Sequence, residues 1–330
     1  MERKILSMDR KLPYYPYSEY LKIKYGEKVY KLPVNLPAGC PNRTEKGGCA
    51  FCAEKGTGFE ALNSHIPVRE QLSHTRRHIE KRYHAHKFIA YFQNYTNTFL
   101  PLTRFQSYME EAAEFPDIVE IAVSTRPDCI SGEYLEVLAS LAGRKGLHIT
   151  VELGLQTCNY HTLERMNRGH TQAEFIDAVL AVQRYGFEVC AHVILNLPED
   201  ELADVVETAK VLSSLKVHAV KLHSLYIARN TPLCDAYEAG RVSVCSKEEY
   251  LKRAAVFLDH LYPGIAVERL FSRIPKEDSV FCNWGCSWWK LLNELLEYMD
   301  KNGNYQGRKA GYLNGAALRK AGFIKDGSYI

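Results

Sequence analysis

Short apolar runs alternate with longer amphipathic segments along most of this 330-residue chain, and that alternation leaves few folds open. Strands are expected at residues 29–36, 87–92, 118–124, 148–154, 188–195, 219–227 and 266–270. Helices are expected between them at 68–83, 103–114, 131–142, 173–185, 202–215 and 247–260. Phe88-Ile89-Ala90-Tyr91-Phe92 is apolar at every position, which suits a parallel sheet covered on both faces. Ser131 stands where a helix cap is needed, and Thr171 precedes Glu174 at capping-box spacing. Repeated strand–helix units of this kind predict an α/β fold, a β/α barrel that is complete or partial.

The ends differ from the middle. Residues 1–32 are rich in Tyr, Lys and Pro without a clean period and read as an extended arm; residues 33–270 hold the barrel. Residues 271–330 read as an appendage, with all three tryptophans (Trp284, Trp288, Trp289), a helix-like stretch at 290–299 and a basic, Gly-rich tail. A net charge of +3 is too small to imply a polyanionic partner by itself. The amino terminus shows no apolar signal segment and no run approaches the ~20 residues of a membrane span, so no membrane association and a cytoplasmic location are expected. In such a reducing setting the ten cysteines are thiols, and clustered ones bind metal or react.

One cluster stands out. Cys40, Cys49 and Cys52 form a C-x8-C-x2-C arrangement directly after the first strand, at the barrel face where such folds place their chemistry. The Gly47-Gly48 pair lets the eight-residue loop fold back toward the two closely spaced thiols. Three cysteines rather than four is informative, since structural zinc sites take four protein ligands and electron-transfer clusters take four cysteines. A trio leaves one iron of a [4Fe–4S] cluster open to a substrate or cofactor, and Phe51 beside Cys52 suits a shielded cluster. The competing reading is zinc, with His65 or a distant cysteine as fourth ligand.

At this point the chain resembles the radical S-adenosylmethionine (SAM) superfamily, whose fold is a partial (β/α)6 barrel, here with a C-terminal appendage. The resemblance runs beyond the cysteines. It includes Tyr91-Phe92-Gln93 with Asn97-Thr98, Ser124-Thr125-Arg126-Pro127-Asp128, Glu152-Leu153-Gly154-Leu155-Gln156-Thr157, the segment from Leu163 to His170, and Leu195-Asn196-Leu197-Pro198. More narrowly the chain is similar to the YtqA/YhcC branch, near the elongator-type radical SAM proteins. The resemblance implies a [4Fe–4S] cluster on Cys40, Cys49 and Cys52, with S-adenosyl-L-methionine on its open iron. It implies SAM contacts from Gln93, Asn97, Thr98, Ser124, Arg126, Glu152 and Gln156, with Arg168 on the SAM carboxylate. It also implies a flavodoxin- or ferredoxin-type electron donor. For MnmL-type members it implies tRNA as partner, the wobble uridine's 5-carboxymethylaminomethyl group being converted to 5-aminomethyl.

The residues carry readings of their own. Glu152 and Gln156 alternate along one strand, so both can point into the barrel. A carboxylate there needs a partner, either SAM or a structural lysine or arginine. His192 and His223 lie on the fifth and sixth strands and either meet the substrate or are satisfied core histidines. Cys190 shares the inward face with His192, as a hydrogen donor or a buried inert thiol. Cys282 and Cys286 read as free cysteines. Residues 69–87 hold six Lys or Arg, four His and two Glu, which is a track for phosphates or a solvated helix face. Two further functions stay open: a radical SAM enzyme acting on a peptide or metabolite, and a zinc-bearing RNA-binding module.

Overall fold

The computed structural model describes residues 12–45, 47–53 and 61–324; Lys46 of the cysteine loop and Asp326 and Gly327 of the tail lie outside them. Nine strands are present: β1 Val29–Val34, β2 Lys87–Phe92, β3 Ile118–Thr125, β4 His148–Gln156, β5 Glu188–Ile194, β6 Ala219–His223, β7 Ile227–Ala228, β8 Ala266–Arg269 and β9 Ser279–Phe281. The helices that matter below are α1 Tyr17–Tyr25, α2 Val68–Tyr83, α3 Leu102–Ala113, α4 Gly132–Lys145, α5 Tyr160–Arg165, α6 Gln172–Arg184, α7 Leu202–Ser214, α8 Pro232–Glu238, α9 Lys247–His260 and α10 Trp288–Asn302.

Seven strands make one parallel sheet in the order β1-β2-β3-β4-β5-β6-β8, the seven expected from the sequence and one more than a (β/α)6 barrel holds. Its two edges, β1 and β8, share no backbone ladder, yet Lys31 Nζ on β1 lies 2.5 Å from Glu268 Oε2 on β8. One side chain spans the opening, so the sheet is curled into a partial barrel. Helices α2, α3, α4, α6, α7 and α9 cover its outside, and the apolar layer between them includes Phe88, Phe92, Ile121, Phe105, Phe175 and Phe257, each fully buried. Each such side chain contributes about 1.5–3 kcal/mol. Helices α2 and α9 have the bounds their sequences predict.

Two expectations are corrected. The segment before β1 is not extended: Tyr17–Tyr25 is a helix ended by Gly26 in the left-handed region (φ 76°). It plugs the lower end of the barrel. Tyr17 and Leu21 are buried against Ile89, Ala122, Cys190 and Ala219, and Lys24 reaches Glu120 at 2.9 Å and Glu188 at 2.8 Å. The run at 219–227 is not one strand. After His223 the chain leaves the sheet because Leu225 N donates to Asn196 Oδ1 (2.7 Å) and Ser224 Oγ donates to Asn283 Oδ1 (2.6 Å), and β7 pairs instead with β9.

The last part is fastened to the barrel. Leu291, Leu295 and Met299 bury one stripe of α10 against the core. Gln306 Nε2 donates to Ile265 O (2.8 Å) and Tyr262 O (3.0 Å), and Arg308 pairs with the buried Asp259. Arg308, a cation expected to add to a basic tail, is therefore a structural ion-pair partner. Among the described residues no helix is long and apolar enough to cross a membrane.

Candidate active site in the barrel mouth

The upper ends of the strands enclose a cavity of about 170 Å³. On one wall it holds Cys40, Cys49 and Cys52 together with Phe51. Their loop is fixed from two sides: Ala50 N donates to Met166 O just beyond α5, and Leu233 N of α8 donates to Ala50 O, each at 2.9 Å. Asn42 Nδ2 adds a tether, 2.6 Å from Asn167 O and 3.3 Å from Cys49 Sγ. Gly169 has φ +71° and packs so closely that a Cβ there would stand 2.2 Å from Asn42 Oδ1.

Arg168 lies directly against this loop. Its Nη1 is 3.4 Å from Cys49 Sγ and its Nη2 donates to Gly154 O at 3.2 Å, while the buried Nε has no partner among the described residues. Gly154 is a glycine for this reason, since a Cβ would meet Nη2 at 2.6 Å. Burial works against the Cys49 thiolate, but the Arg168 guanidinium, the Asn42 amide and Arg126 outweigh it and hold the thiol below its ordinary range. Burial pushes Cys52 up. Arg126 is pinned by a bidentate pair with Asp128 (2.8 and 2.7 Å) and donates through Nη1 to Arg168 O at 2.9 Å. It braces Arg168 and has only part of its guanidinium left for a ligand.

Gln93, Ser124 and Gln156 also line the cavity, Gln156 at a bulge that ends β4 with φ 74°. Asn97 and Thr98 do not. Asn97 Nδ2 donates to Phe92 O (3.0 Å) and Ser124 O (2.8 Å), and Thr98 Oγ1 bonds Thr125 Oγ1 and Cys129 O, so both tie the ends of β2 and β3 together.

The cavity floor is a charge network that only Glu152 announces in sequence. Glu152 Oε1 pairs with Lys31 at 2.5 Å. Its Oε2 accepts from Tyr91 OH (2.8 Å), Ser124 Oγ (3.3 Å), His192 Nε2 (2.7 Å) and Lys221 Nζ (3.2 Å). Lys221 and Lys31 also hold Glu268, at 2.9 and 2.5 Å. Burial alone would raise the Glu152 carboxyl; Lys221 and Lys31 reverse that and hold it well below the usual range. Its partners are thus the structural lysines. The signal for Lys31 and Lys221 was a single cation inside an otherwise apolar strand, which a period-two reading assigns to solvent.

His192 and His223 both line the cavity, their rings 5.4 Å apart. Burial lowers both, the Glu152 carboxylate opposing it at His192, and His223 is lowered further by His192, Arg269 and Lys221. Cys190 lies outside the cavity lining, 1% exposed among the residues that pack on α1, with its thiol pushed well up by burial. Tyr226, Arg269 and Ser272 also line the cavity and were not foreseen.

The donor set discriminates between the two metals considered. Tetrahedral zinc with Zn–S of about 2.3 Å places its sulfurs about 3.8 Å apart. Among the described residues, the one trio of Cys, His or acidic donors within 4.8 Å of one another is Glu152, Cys190 and His192, not the three cysteines. Glu152 of that trio is already paired with two lysines. His65 is exposed and does not line the cavity. A wider-spaced trio of sulfurs beside a cationic arginine suits a larger, anionic cluster.

The Radical SAM superfamily model matches residues 34–212, more than half of the chain. The chain belongs to the radical SAM superfamily. As a radical SAM enzyme it uses a [4Fe–4S] cluster and SAM. The Radical_SAM C-terminal domain matches residues 217–301. The protein YtqA of Bacillus subtilis is 30% identical over 298 residues, covering 89% of this chain and 92% of YtqA. The tRNA uridine(34) acetyltransferase of Methanocaldococcus jannaschii is 23% identical over 205 residues, 60% of this chain and 36% of that protein. Among solved structures, the archaeal Methanocaldococcus infernus Elp3 with an N-terminal deletion superimposes with a TM-score of 0.66 at 17% identity, covering 90% of this chain and 68% of that one, which is a likeness of fold.

Proposed function

We propose that this radical SAM enzyme modifies the wobble uridine of tRNA, converting a 5-carboxymethylaminomethyl group to 5-aminomethyl. Cys40, Cys49 and Cys52 bind the cluster in this reading, and Arg168 holds the SAM carboxylate, its guanidinium offering paired donors beside Cys49. The observation that carries the reading is that the three cysteines and Arg168 share one cavity with polar groups from β5, β6 and β8. Bound there, the cluster and SAM supply a hydrogen-abstracting 5′-deoxyadenosyl radical. Gln93, Ser124 and Gln156 orient SAM, and the closed floor beneath Glu152 keeps water out from below. His192 and His223 line the cavity beside the arm; loss of one hydrogen atom to the radical and one electron to the oxidised cluster would leave an imine, which water would split into the aminomethyl group and a two-carbon aldehyde acid. Electrons come from a flavodoxin- or ferredoxin-type donor.

Support for tRNA comes from the match to a protein named tRNA uridine(34) acetyltransferase and from the surface of α2. There Arg69, Arg77, Lys81 and Arg82 are exposed, whereas Arg76 is held by Glu80 and Asp117. Such a face tracks phosphates and gives salt-dependent affinity, and the wobble base, already in a loop, is cheap to extrude. The test is anaerobic incubation with SAM, reductant and tRNA carrying the 5-carboxymethylaminomethyl group, followed by nucleoside mass spectrometry. Matched amounts of 5′-deoxyadenosine and 5-aminomethyluridine are expected; 5′-deoxyadenosine with unchanged tRNA would point to a peptide or metabolite substrate instead.

A further inference from the structure

The cavity is lopsided in charge. Among the described residues, Arg43, Arg126, Arg168, Lys221, Arg269 and Arg273 line it, against a single acid, Glu152, which the floor already neutralises. Five of the six cations have protein partners. Arg126 pairs with Asp128, Arg168 meets Cys49 and Gly154 O, and Lys221 bridges two glutamates. Arg43 bonds Ala53 O, and Arg273 lies 4.2 Å over the Trp288 ring. Arg269, half-buried, makes no hydrogen bond or ion pair with any described residue.

Its placement in the cavity has a backbone cause. Along β6 and β8, Val220 pairs with Val267 but Lys221 pairs with Arg269, so the register slips at a bulge. In a regular strand Glu268 and Arg269 would point to opposite faces. The bulge turns both inward, Glu268 to the floor lysines and Arg269 to the cavity. A guanidinium brought inside a barrel with no partner is costly unless a ligand supplies the counter-charge.

We propose that Arg269 binds an oxyanion of the substrate and, resting on the function proposed above, that this oxyanion is the carboxylate of the carboxymethylaminomethyl arm. Arg168 bonds the end of β4, whereas Arg269 stands on β8 in the same cavity. In the function proposed above Arg168 takes the SAM carboxylate, which leaves Arg269 for an anion of the substrate. Ser272 and Tyr226 line the same cavity. The arrangement grips the fragment that is to be removed, so the product, which lacks that carboxylate, is released more easily than the substrate is bound.

A flanking backbone phosphate would offer the same oxyanion chemistry, and the experiment separates the two. Anticodon stem-loops with 5-carboxymethylaminomethyluridine or 5-aminomethyluridine at the wobble position are bound to reconstituted, SAM-loaded enzyme and read by fluorescence anisotropy, with iron content and circular dichroism reporting folding. Wild type is expected to prefer the carboxylate-bearing RNA by about tenfold or more, the scale of a charge-assisted hydrogen bond. Arg269→Gln is expected to erase that preference, and Arg269→Lys, a point charge without the fork, to keep part of it. If wild type converts the RNA while R269Q retains the full preference, the assignment of Arg269 is overturned and the function stands. Equal weakening of both RNAs by R269Q overturns the carboxylate in favour of phosphate. If wild type neither prefers nor converts the carboxylate-bearing RNA, the proposed function falls and this assignment with it.

Discussion

Replacing Lys31 with methionine isolates what the buried floor contributes. Lys31 and Lys221 carry two positive charges against two negatives on Glu152 and Glu268, and Lys31 contacts both carboxylates at 2.5 Å. Methionine preserves most of the volume but leaves a net charge of −1 in a site where Glu152 is 1% exposed. Removing one partner from a buried pair costs about 3–5 kcal/mol. Over 330 residues, at about 2.1 cal/mol/K of unfolding entropy per residue, about 3 kcal/mol lowers Tm by about 4 °C. Urea unfolding followed by circular dichroism reads the same loss as a fall in the midpoint. Lys31 is one of the two lysines that hold both floor carboxyls below the usual range, and its share of that stabilisation is lost with it. The deficit against wild type therefore shrinks as pH falls into the carboxyl range. Lys31→Met with Glu268→Gln restores charge balance and recovers much of the loss. A cost below about 1 kcal/mol for K31M at pH 7.5, or no rescue by the second substitution, would refute the argument that this network is an interdependent unit.

Other perturbations test other parts. Gly169→Ala would place a Cβ 2.2 Å from Asn42 Oδ1 at a φ of +71°, so the tether on the Cys49 loop must shift; reconstituted iron per chain should fall at least by half. Arg168→Gln should weaken SAM binding by tenfold or more, measured by calorimetry, while the brown absorbance of the cluster persists. Burial holds the Asp200 carboxyl up at about 6 against an ordinary 3.8, so stability present below the lower value is lost as pH rises through the higher one. Asp200→Asn should then stabilise the protein at pH 7.5 by up to about 3 kcal/mol and flatten the pH profile between 4 and 6.

What was legible in the sequence follows the physics of each element. Strands buried on both faces are apolar throughout, so β2 was read with the bounds it has, and α2 and α9 carry unmistakable helical periods. The break after His223 was not legible because it is imposed from outside, by Asn196 and Asn283. Helix α1 was missed because it buries only Tyr17 and Leu21, one turn of a stripe. The grouping of the three cysteines could be read because their spacing is local in sequence, whereas Arg168 came from the family resemblance; the structure places all four on one cavity. The floor could not, since Lys31, Tyr91, Glu152, Lys221 and Glu268 come from five strands and meet only when the sheet curls. Glu152 was foreseen as inward, with SAM or a structural cation as its partner; the structure gives it two lysines. Asn97 and Thr98 belong to motif-like stretches but bind backbone at the strand ends.

The account stands or falls on the metal held by the trio of sulfurs. Protein reconstituted anaerobically with iron and sulfide, then reduced and examined by electron paramagnetic resonance with and without SAM, tests it directly. Four irons per chain, and a reduced-cluster signal that changes when SAM is added, are the predicted result. Cys40→Ala, Cys49→Ala and Cys52→Ala should each abolish that signal. One zinc per chain, or an iron signal indifferent to SAM and to these three substitutions, would contradict the claim.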